Sequence, residues 1–427
     1  MDGPARRAAR PRNGPRRVVG GLIVGLLACS TLALALVTTR VGLVLGTTSH
    51  PEDVTKQLAF LRGALDDGAG HDMQALFPEG YFFTHALTGL AWTDLAATGH
   101  ADRQAAITNA RWALERLDEP DGTAPFDRDL DPPYGVFHAG WSLLLRAQLA
   151  ALDPTATDAA DATIAQADGL AAAVERQLGS AESPFLTAYP GQSWPVDSVV
   201  AVAALRTADR ATGGDHHELI ERWRARAGRH LDPRTGLLPH RTEPGTAAIL
   251  DGTRGTSQAI IQRLWPLIDP DGAPGAYERF RRQFVTTEAG LVGVREYPHG
   301  LDGPGDVDSG PLVLGVSASA TAVMIGAARA NGDPGLTEAL RDEADVFGVP
   351  LDWRGERRYA LGVVPVADAF VAWASATPPG SPQAVDPVRP WWPTGLALAW
   401  LALGGAWFPV VRRRRVRHRS PDGPALA

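Results

Sequence analysis

Cysteine and lysine are almost absent from this chain of 427 residues. Cys29 is the only cysteine and Lys56 is the only lysine. A single cysteine excludes an intramolecular disulfide. Because Cys29 lies in an apolar run near the N-terminus, the rest of the chain contains no thiolate metal ligand and no cysteine nucleophile.

The usual sequence signals of a metal hydrolase are also missing. The motif H-E-x-x-H does not occur, and the histidines are dispersed. A metal site would require distant histidines to meet through folding, namely His85, His138, His240 and His299. We therefore predict no metal and no cofactor.

Charge is missing from two long segments, residues 18–38 and 391–411. Each is long enough for a helix to cross roughly 30 Å of hydrocarbon. Arginines flank both segments on their outer sides: Arg6, Arg7, Arg10, Arg12, Arg16 and Arg17, then Arg412 to Arg415, Arg417 and Arg419. The positive-inside rule places both basic tails, 1–17 and 412–427, in the cytoplasm. We expect a two-pass protein of the cell membrane that contacts the lipid bilayer through two helices, with its central region extracytoplasmic.

Two other interpretations of the first apolar segment stay open. It has the length and flanking charges of a long signal peptide. The residues Leu26-Leu27-Ala28-Cys29 also loosely resemble a bacterial lipoprotein box, although apolar residues continue beyond Cys29.

The remaining charge is strongly negative. The two arginine clusters hold 12 of the 41 basic residues, and the tails hold 2 of the 48 acidic ones, which leaves 29 basic and 46 acidic residues elsewhere. A formal charge of about −17 makes nucleic acid an improbable partner.

The central region alternates short connections with long loops that are rich in Gly, Pro, aromatic and charged residues. Apolar periodicity and Gly or Pro punctuation predict twelve helices, near 51–68, 81–98, 101–118, 134–152, 155–178, 195–212, 214–230, 254–268, 274–287, 309–330, 333–347 and 361–376. Since each pair of connections reverses the chain twice, all the long loops would lie at one end. We predict an all-α fold, an (α/α)6 toroid of six helical hairpins over 48–377, flanked by an N-terminal and a C-terminal transmembrane helix and followed by a linker at 378–390.

The more uniformly apolar helix of each hairpin is expected on the inside of the ring, because a helix that is apolar on all sides is buried. Polar groups recur near the starts of these inner helices, so they would converge at one mouth. Carboxylates there are candidate catalytic groups: Asp197, Glu296, Asp306 and Asp308. The competing interpretation is that Asp197, Asp306 and Asp308 only cap helix N-termini.

Further polar and aromatic residues in the same positions are candidate substrate ligands. Tyr-x-x-x-His occurs twice, and this spacing places both side chains on one helical face. The candidate set is Tyr81, His85, Tyr134, His138, Tyr189, Trp194, Arg254, Gln258, Arg295 and Tyr297. Aromatic rings beside carboxylates suit sugars, whose C–H faces stack on rings, although a packed lid would use aromatics too.

The six-hairpin rhythm, with Trp, Tyr, Asp and Glu before the inner helices, resembles the six-hairpin glycosidase superfamily. It is also loosely similar to the linalool dehydratase/isomerase family, whose chemistry depends on cysteines that the central region lacks. The resemblance implies an extracytoplasmic carbohydrate-active enzyme, most simply an inverting glycoside hydrolase acting on a glycan or another small extracytoplasmic substrate. Asp308 would be its base with Asp306 as neighbour, and Asp197 or Glu296 its acid. Elimination from an acidic sugar, with Arg254 or Arg295 on the carboxylate, and a non-catalytic glycan- or partner-binding protein stay open.

Overall fold

A computed structural model describes residues 14–45, 51–287, 290–388 and 390–417. The chain divides into two compact units, one formed by Met1–Thr48 and Trp391–Ala427 and the other by Ser49–Pro390. Arginines 6, 7, 10, 12 and 419, which led us to predict cytoplasmic tails, lie outside the described residues.

The terminal unit consists of two helices, α1 (Gly14–Leu45) and α16 (Trp392–Arg417), which contact each other. The indole N–H groups of Trp400 and Trp407 each donate a hydrogen bond of 2.9 Å to a threonine hydroxyl of α1. Within α1, Gly21–Val44 is long and apolar enough to cross a membrane, and a signal sequence would meet the same criterion. No second helix of the described chain meets it. The span predicted at 391–411 therefore stays a prediction.

The larger unit is mostly helical and contains six helical hairpins. Their outer helices are α2 (Pro51–Asp66), α5 (Arg103–Asp118), α8 (Thr157–Ser180), α10 (His217–Ala227), α12 (Ala273–Phe284) and α14 (Pro334–Gly348). Their inner helices are α4 (Gly80–Ala97), α7 (Gly135–Leu152), α9 (Pro195–Thr212), α11 (Gly255–Ile268), α13 (Ala318–Ala330) and α15 (Pro365–Ala376). Each inner helix contacts the next, and α15 contacts α4, so the six close into a ring. The predicted ring of six helical hairpins is therefore present in the structure.

Short elements decorate the ring. Two further helices precede inner helices, α3 (Ala69–Leu76) and α6 (Pro120–Thr123). The strands form three small antiparallel sheets: β1 (Arg241–Thr242) with β2 (Ile249–Asp251), β4 (Gly293–Arg295) between β3 (Val285–Thr286) and β5 (Val316–Ser317), and β6 (Leu351–Trp353) with β7 (Glu356–Arg358). None of these elements interrupts the ring.

Side-chain patterns explain which helices lie inside the ring and which lie outside. Most residues of α4, α7 and α9 are buried, as expected for helices enclosed by their neighbours. Outer helices bury one stripe, as in α12, where Tyr277, Phe280 and Phe284 face inward at helical spacing. Side-chain caps fix several starts. Asp102, for example, accepts a hydrogen bond of 2.8 Å from the N–H of Ala105.

Two inner helices begin later than predicted. Helix α13 starts at Ala318 instead of 309, because Gly310, Leu314 and Gly315 adopt positive φ and Ser317 caps the helix by accepting from the N–H of Ala320. Helix α15 starts at Pro365 instead of 361, with proline in the first turn. Residues 309–315 are therefore part of a loop, and strand β5 follows them before α13.

The middle of the ring is filled with aromatic side chains. The ring centroid of Phe83 lies 5.4 Å from those of Trp141 and Phe370, and Trp141 lies 5.4 Å from Trp373. These contacts join α4, α7 and α15, and the pair Phe83 and Phe370 brings the first hairpin against the last.

A buried ion pair crosses the ring near the opposite end. Arg263 of α11 contacts Asp94 of α4 at 2.6 Å, and both side chains are about 95% buried. Helices α4 and α11 are the first and fourth inner helices, so the pair joins opposite sides. The Arg263 guanidinium also donates to the Thr377 hydroxyl at 2.7 Å and lies 3.5 Å above the Trp373 ring. The pair therefore ties α4 to α11 across the ring.

Candidate active site at the mouth of the ring

The long loops that precede the inner helices form one end of the ring, which we call the mouth. Four of the six loops bring charged groups together there. Glu79 precedes α4, Asp197 lies in the first turn of α9, Arg254 immediately precedes α11, and Asp308 lies in the loop before α13. The electrostatic effects of these groups on one another place them in a single neighbourhood.

Asp197 is a buried carboxylate and a candidate catalytic residue. It is the third residue of α9, after Pro195, and the residue at the helix cap is Trp194. Among the described residues its side chain has no hydrogen-bond partner, so the interpretation of Asp197 as a cap is wrong. Burial, and then the charges of Asp308 and Glu79, raise the pKa of Asp197 well above its ordinary value. Asp197 therefore favours the protonated form.

Asp308 differs in that it remains accessible to solvent. Surrounding protein nevertheless removes much of its hydration, and this loss, with the charges of Asp306 and Glu79, raises the pKa of Asp308 to about 6. Its loop lies ten residues before α13, so Asp308 does not cap that helix. The loop is held in place because the hydroxyl of Ser319 donates to the Asp308 carbonyl at 2.5 Å.

Tyr189 and Glu79 connect the first and third hairpins. The Tyr189 hydroxyl donates a hydrogen bond to the Glu79 carboxylate. Burial and the negative charges of Glu79, Asp197 and Asp308 raise the pKa of Tyr189. The Tyr189 ring lies 5.7 Å from that of Trp194, edge to face. Two of the predicted aromatic ligands therefore lie beside the two candidate catalytic aspartates.

Arg254 organises the other side of the mouth. It contacts Asp251 at 2.5 Å, it pairs with Asp306, and its Nη1 lies 3.9 Å from Glu296. Burial alone would raise the pKa of Asp306, but the N–H of Ser309 and the charge of Arg254 hold it below its ordinary value. Asp306 is therefore a permanently charged neighbour of Asp308 at neutral pH.

Glu296 is fully buried against the start of α11. Its carboxylate accepts from the Thr256 hydroxyl at 2.6 Å and from the Thr256 N–H at 3.3 Å. Burial raises its pKa to about 7. Because both oxygens already have partners in the protein, Glu296 is less suited than Asp197 to donate a proton to a ligand.

Three predicted ligands are engaged with the protein itself. Gln258 is fully buried, donates to the Leu238 carbonyl at 2.8 Å and accepts from Gln262 at 3.0 Å. Arg295 pairs with Asp302 at 2.5 Å. The Tyr297 hydroxyl donates to the Pro304 carbonyl at 2.9 Å, and its ring faces Arg254. We no longer expect Gln258 or Arg295 to contact substrate.

The two Tyr-x-x-x-His pairs lie apart from the carboxylates. The Tyr81 ring packs 4.3 Å from His85, which lies 5.2 Å from Trp112 of α5. Burial lowers the pKa of His85 to about 4. The pair therefore faces α3 and α5, outside the inner surface.

In the second pair, Tyr134 lies 5.3 Å from His138, whose Nε2 faces the Leu117 carbonyl at 3.3 Å. His138 is buried between Phe82 and Phe126, and burial lowers its pKa. The repetition in the sequence thus reflects two similar packing positions, and it does not create one site.

The histidines considered for a metal site do not meet. His240 faces the Ser257 hydroxyl at 2.6 Å, and His299 faces the Val285 carbonyl at 3.1 Å. In the part of the chain that the structure describes, no group of three or more His, Cys, Asp or Glu residues is arranged to hold a metal ion.

Sequence reasoning missed Glu79 and Asp251. Each lies within four residues of an inner helix start, which was the only available signal. Acidic residues at helix starts are common for reasons of capping and helix dipole alone, so this position did not single them out.

A cavity of about 840 Å³ lies elsewhere, between α12 and residues 383–388. It contains Arg281, Arg282 and His299 but none of the mouth carboxylates. The mouth, in contrast, concentrates carboxyl groups whose pKa values are raised, which is typical of sites of chemistry.

The sequence matches no protein-family model and no curated protein. Among solved structures, the chain is similar to a GH76 alpha-mannanase of Bacteroides thetaiotaomicron, with 11% sequence identity and a TM-score of 0.41, over 69% of this chain and 86% of that chain. The catalytic interpretation therefore depends on the geometry of the mouth.

Proposed function

We propose that this chain is a membrane-anchored, extracytoplasmic glycoside hydrolase of inverting type. Asp197 would serve as its general acid and Asp308 as its general base. The observation that carries this proposal is the pairing at the mouth of a buried carboxyl whose pKa is raised well above its ordinary value with a solvent-accessible one whose pKa is about 6.

The two environments match the two tasks. The raised pKa of Asp197 favours its protonated form, whereas Asp308, with a pKa of about 6, is largely ionised near pH 7. Asp197 would donate its proton to the glycosidic oxygen as the bond from that oxygen to the anomeric carbon breaks. Asp308 would remove a proton from the water whose oxygen attacks the same carbon from the opposite side. Asp197 would lose one proton and Asp308 would gain one, so the two carboxyls would exchange protonation states in each turnover.

Other residues of the mouth would support the roles of Asp197 and Asp308. Glu79 and Asp306 place negative charge near Asp197 and Asp308, which keeps both pKa values high. The transition state of glycoside hydrolysis resembles an oxocarbenium ion, and negative charge around it is favourable. Tyr189 and Trp194 would stack on or bond to the sugar, with Arg254 holding Asp306 in position.

Anchoring is proposed from the sequence and from α1. The apolar segment Gly21–Val44 would cross the membrane, and 391–411 would cross it again beside α1, so that both basic tails are cytoplasmic. The domain from 48 to 377 would face outward, joined to the second span by the linker at 378–390. A glycan of the envelope or its surroundings would be the substrate.

Elimination is less well supported by the contacts. An eliminating enzyme needs a free cation for the substrate carboxylate, but Arg254 and Arg295 already pair with Asp306 and Asp302. It also needs a base, and the raised pKa of Tyr189 opposes ionisation of that hydroxyl.

The assignment of Asp197 can be tested by changing the leaving group. We expect Asp197→Asn to lower hydrolysis of an oligosaccharide by on the order of a hundredfold, because the sugar leaving group needs a proton. A glycosyl fluoride of the same anomeric form needs none, so its hydrolysis should stay within about tenfold of wild type. Initial rates on both substrates are the measurement. Equal losses on both substrates would remove Asp197 from the role of acid.

A further inference from the structure

The mouth carries an unusual amount of exposed apolar surface. Large aliphatic side chains project from its loops at Leu76, Ile249, Leu250, Val307, Val313, Leu314, Leu361, Val363 and Val364. Val313 and Val363 are each about 70% exposed. The opposite end exposes no large apolar side chain in its connections, which are all described: 98–102, 153–156, 213–216, 269–272 and 331–333.

These side chains occupy one continuous part of the rim, which we call the apolar arc. They precede α11, α13, α15 and α4, which are consecutive around the ring. The loops before α7 and α9, at 119–134 and 181–194, are described throughout and expose no large apolar side chain. They present Asp127, Arg128, Asp129 and Glu182 instead. The exposed large apolar side chains of the mouth are therefore confined to one side of it, where they lie among charged residues.

The apolar arc adjoins the catalytic groups directly. Val307 lies between Asp306 and Asp308 in the sequence, and Leu250 precedes Asp251. The backbone φ angles of Leu314 and Leu361 are 53° and 61°, a region that is strained for leucine. Both side chains are exposed, so their packing does not offset this strain. Backbone strain that packing does not offset clusters at functional sites.

We propose that the substrate is a glycan carried on a lipid, whose hydrocarbon chain lies along the apolar arc while the sugar occupies the mouth. This inference rests on the proposed function, since it names the substrate class of that site. An amphiphile joins the two chemistries found at the mouth, since the polar loops before α7 and α9 would bond to the rest of the glycan. The same chain also carries Gly21–Val44, a segment able to cross a membrane, which would keep the domain where lipid-linked glycans reside.

The matched variants are Val313→Ser with Val363→Ser on the apolar arc, and Ile164→Ser on outer helix α8. All three residues expose apolar side chains, but Ile164 lies outside the mouth. The full-length chain, held in a fluorinated surfactant, is assayed on one oligosaccharide with a methyl or an octyl aglycone. We expect the arc variant to lower kcat/KM for the octyl substrate by about tenfold and to leave the methyl substrate within about twofold. Ile164→Ser should change neither value.

A second measurement does not need turnover. An octyl glucoside with a diazirine in its tail is photolysed with each protein, and labelled peptides are mapped by mass spectrometry. We expect label in peptides covering 305–315 and 360–365, lost in the arc variant and kept in Ile164→Ser. If no glycan is cleaved by any protein, the proposed function fails, and the labelling then decides whether the apolar arc binds the hydrocarbon chain of a glycolipid. Equal kinetic losses on both aglycones, or label that is indifferent to the arc variant, would overturn it.

Discussion

Replacement of Asp308 by Asn is expected to lower turnover of a glycan substrate by on the order of a hundredfold or more. The amide keeps the size of the side chain but cannot accept the proton of the attacking water. Asp308 does not cap α13, because Ser317 does, so loss of a cap cannot explain such an effect. The measurement is kcat for wild type and Asp308→Asn on the same oligosaccharide near pH 7.

The stability of the same variant separates catalysis from damage to the fold. The pKa of Asp308 is about 6 in the folded protein, against an ordinary value of 3.8. Between these values the folded protein binds a proton that the unfolded chain does not, so wild-type stability rises as pH falls through this interval. Asn does not ionise. We therefore expect Asp308→Asn to raise Tm at pH 8, with an advantage that disappears below about pH 4.

The matched control is Asp129→Asn. Asp129 is an exposed residue of the loop before α7, and its carboxylate has no hydrogen-bond partner among the described residues. Turnover and Tm should stay close to wild type. Near-wild-type turnover in Asp308→Asn would remove Asp308 from the mechanism.

Replacement of Arg263 by Met is expected to lower the free energy of unfolding by about 3–5 kcal/mol. The substitution leaves Asp94 fully buried without its cation, and burial already raises the pKa of Asp94 to about 6 in the intact pair. It also removes the contacts of the guanidinium with Thr377 and Trp373. Equilibrium unfolding in urea of the full-length protein, followed by tryptophan fluorescence, measures the change.

Two further variants test whether the loss of stability comes from the unpaired buried charge. Asp94→Leu with Arg263→Met removes both charges, so it should recover much of the lost stability. Arg176→Met breaks a solvent-exposed pair with Asp131 and should change the free energy of unfolding little. If Arg263→Met costs no more than Arg176→Met, the pair does not hold α4 and α11 together.

The ring was predictable because its determinants are local. The apolar inner helices and the short connections between hairpins fix the order of the elements, and most helix bounds fall within about three residues of the prediction. The late start of α13 was not predictable, since residues 309–317 contain apolar side chains at plausible spacing. Positive φ at Leu314, a residue that rarely adopts it, breaks the helix there.

The site was predictable in part, for a similar reason. Asp197 and Asp308 follow from position, because inner helix starts converge at one end. Which polar side chains turn toward the centre depends on tertiary packing. His85 and His138 turn between helices, and Gln258 bonds to a neighbouring loop, whereas Glu79 reaches the mouth through Tyr189. Periodicity along one helix does not carry that information.

Release of new reducing ends from envelope glycans is the most direct test of the account. Full-length wild type and the double variant Asp197→Asn with Asp308→Asn would be incubated with the same glycan panel at pH 7. We predict that wild type generates reducing ends from at least one glycan with inversion at the anomeric carbon, as followed by NMR, and that the folded double variant generates none. Equal release by both proteins, or none by wild type on any lipid-linked or free glycan, would contradict the assignment of the mouth as a hydrolytic site.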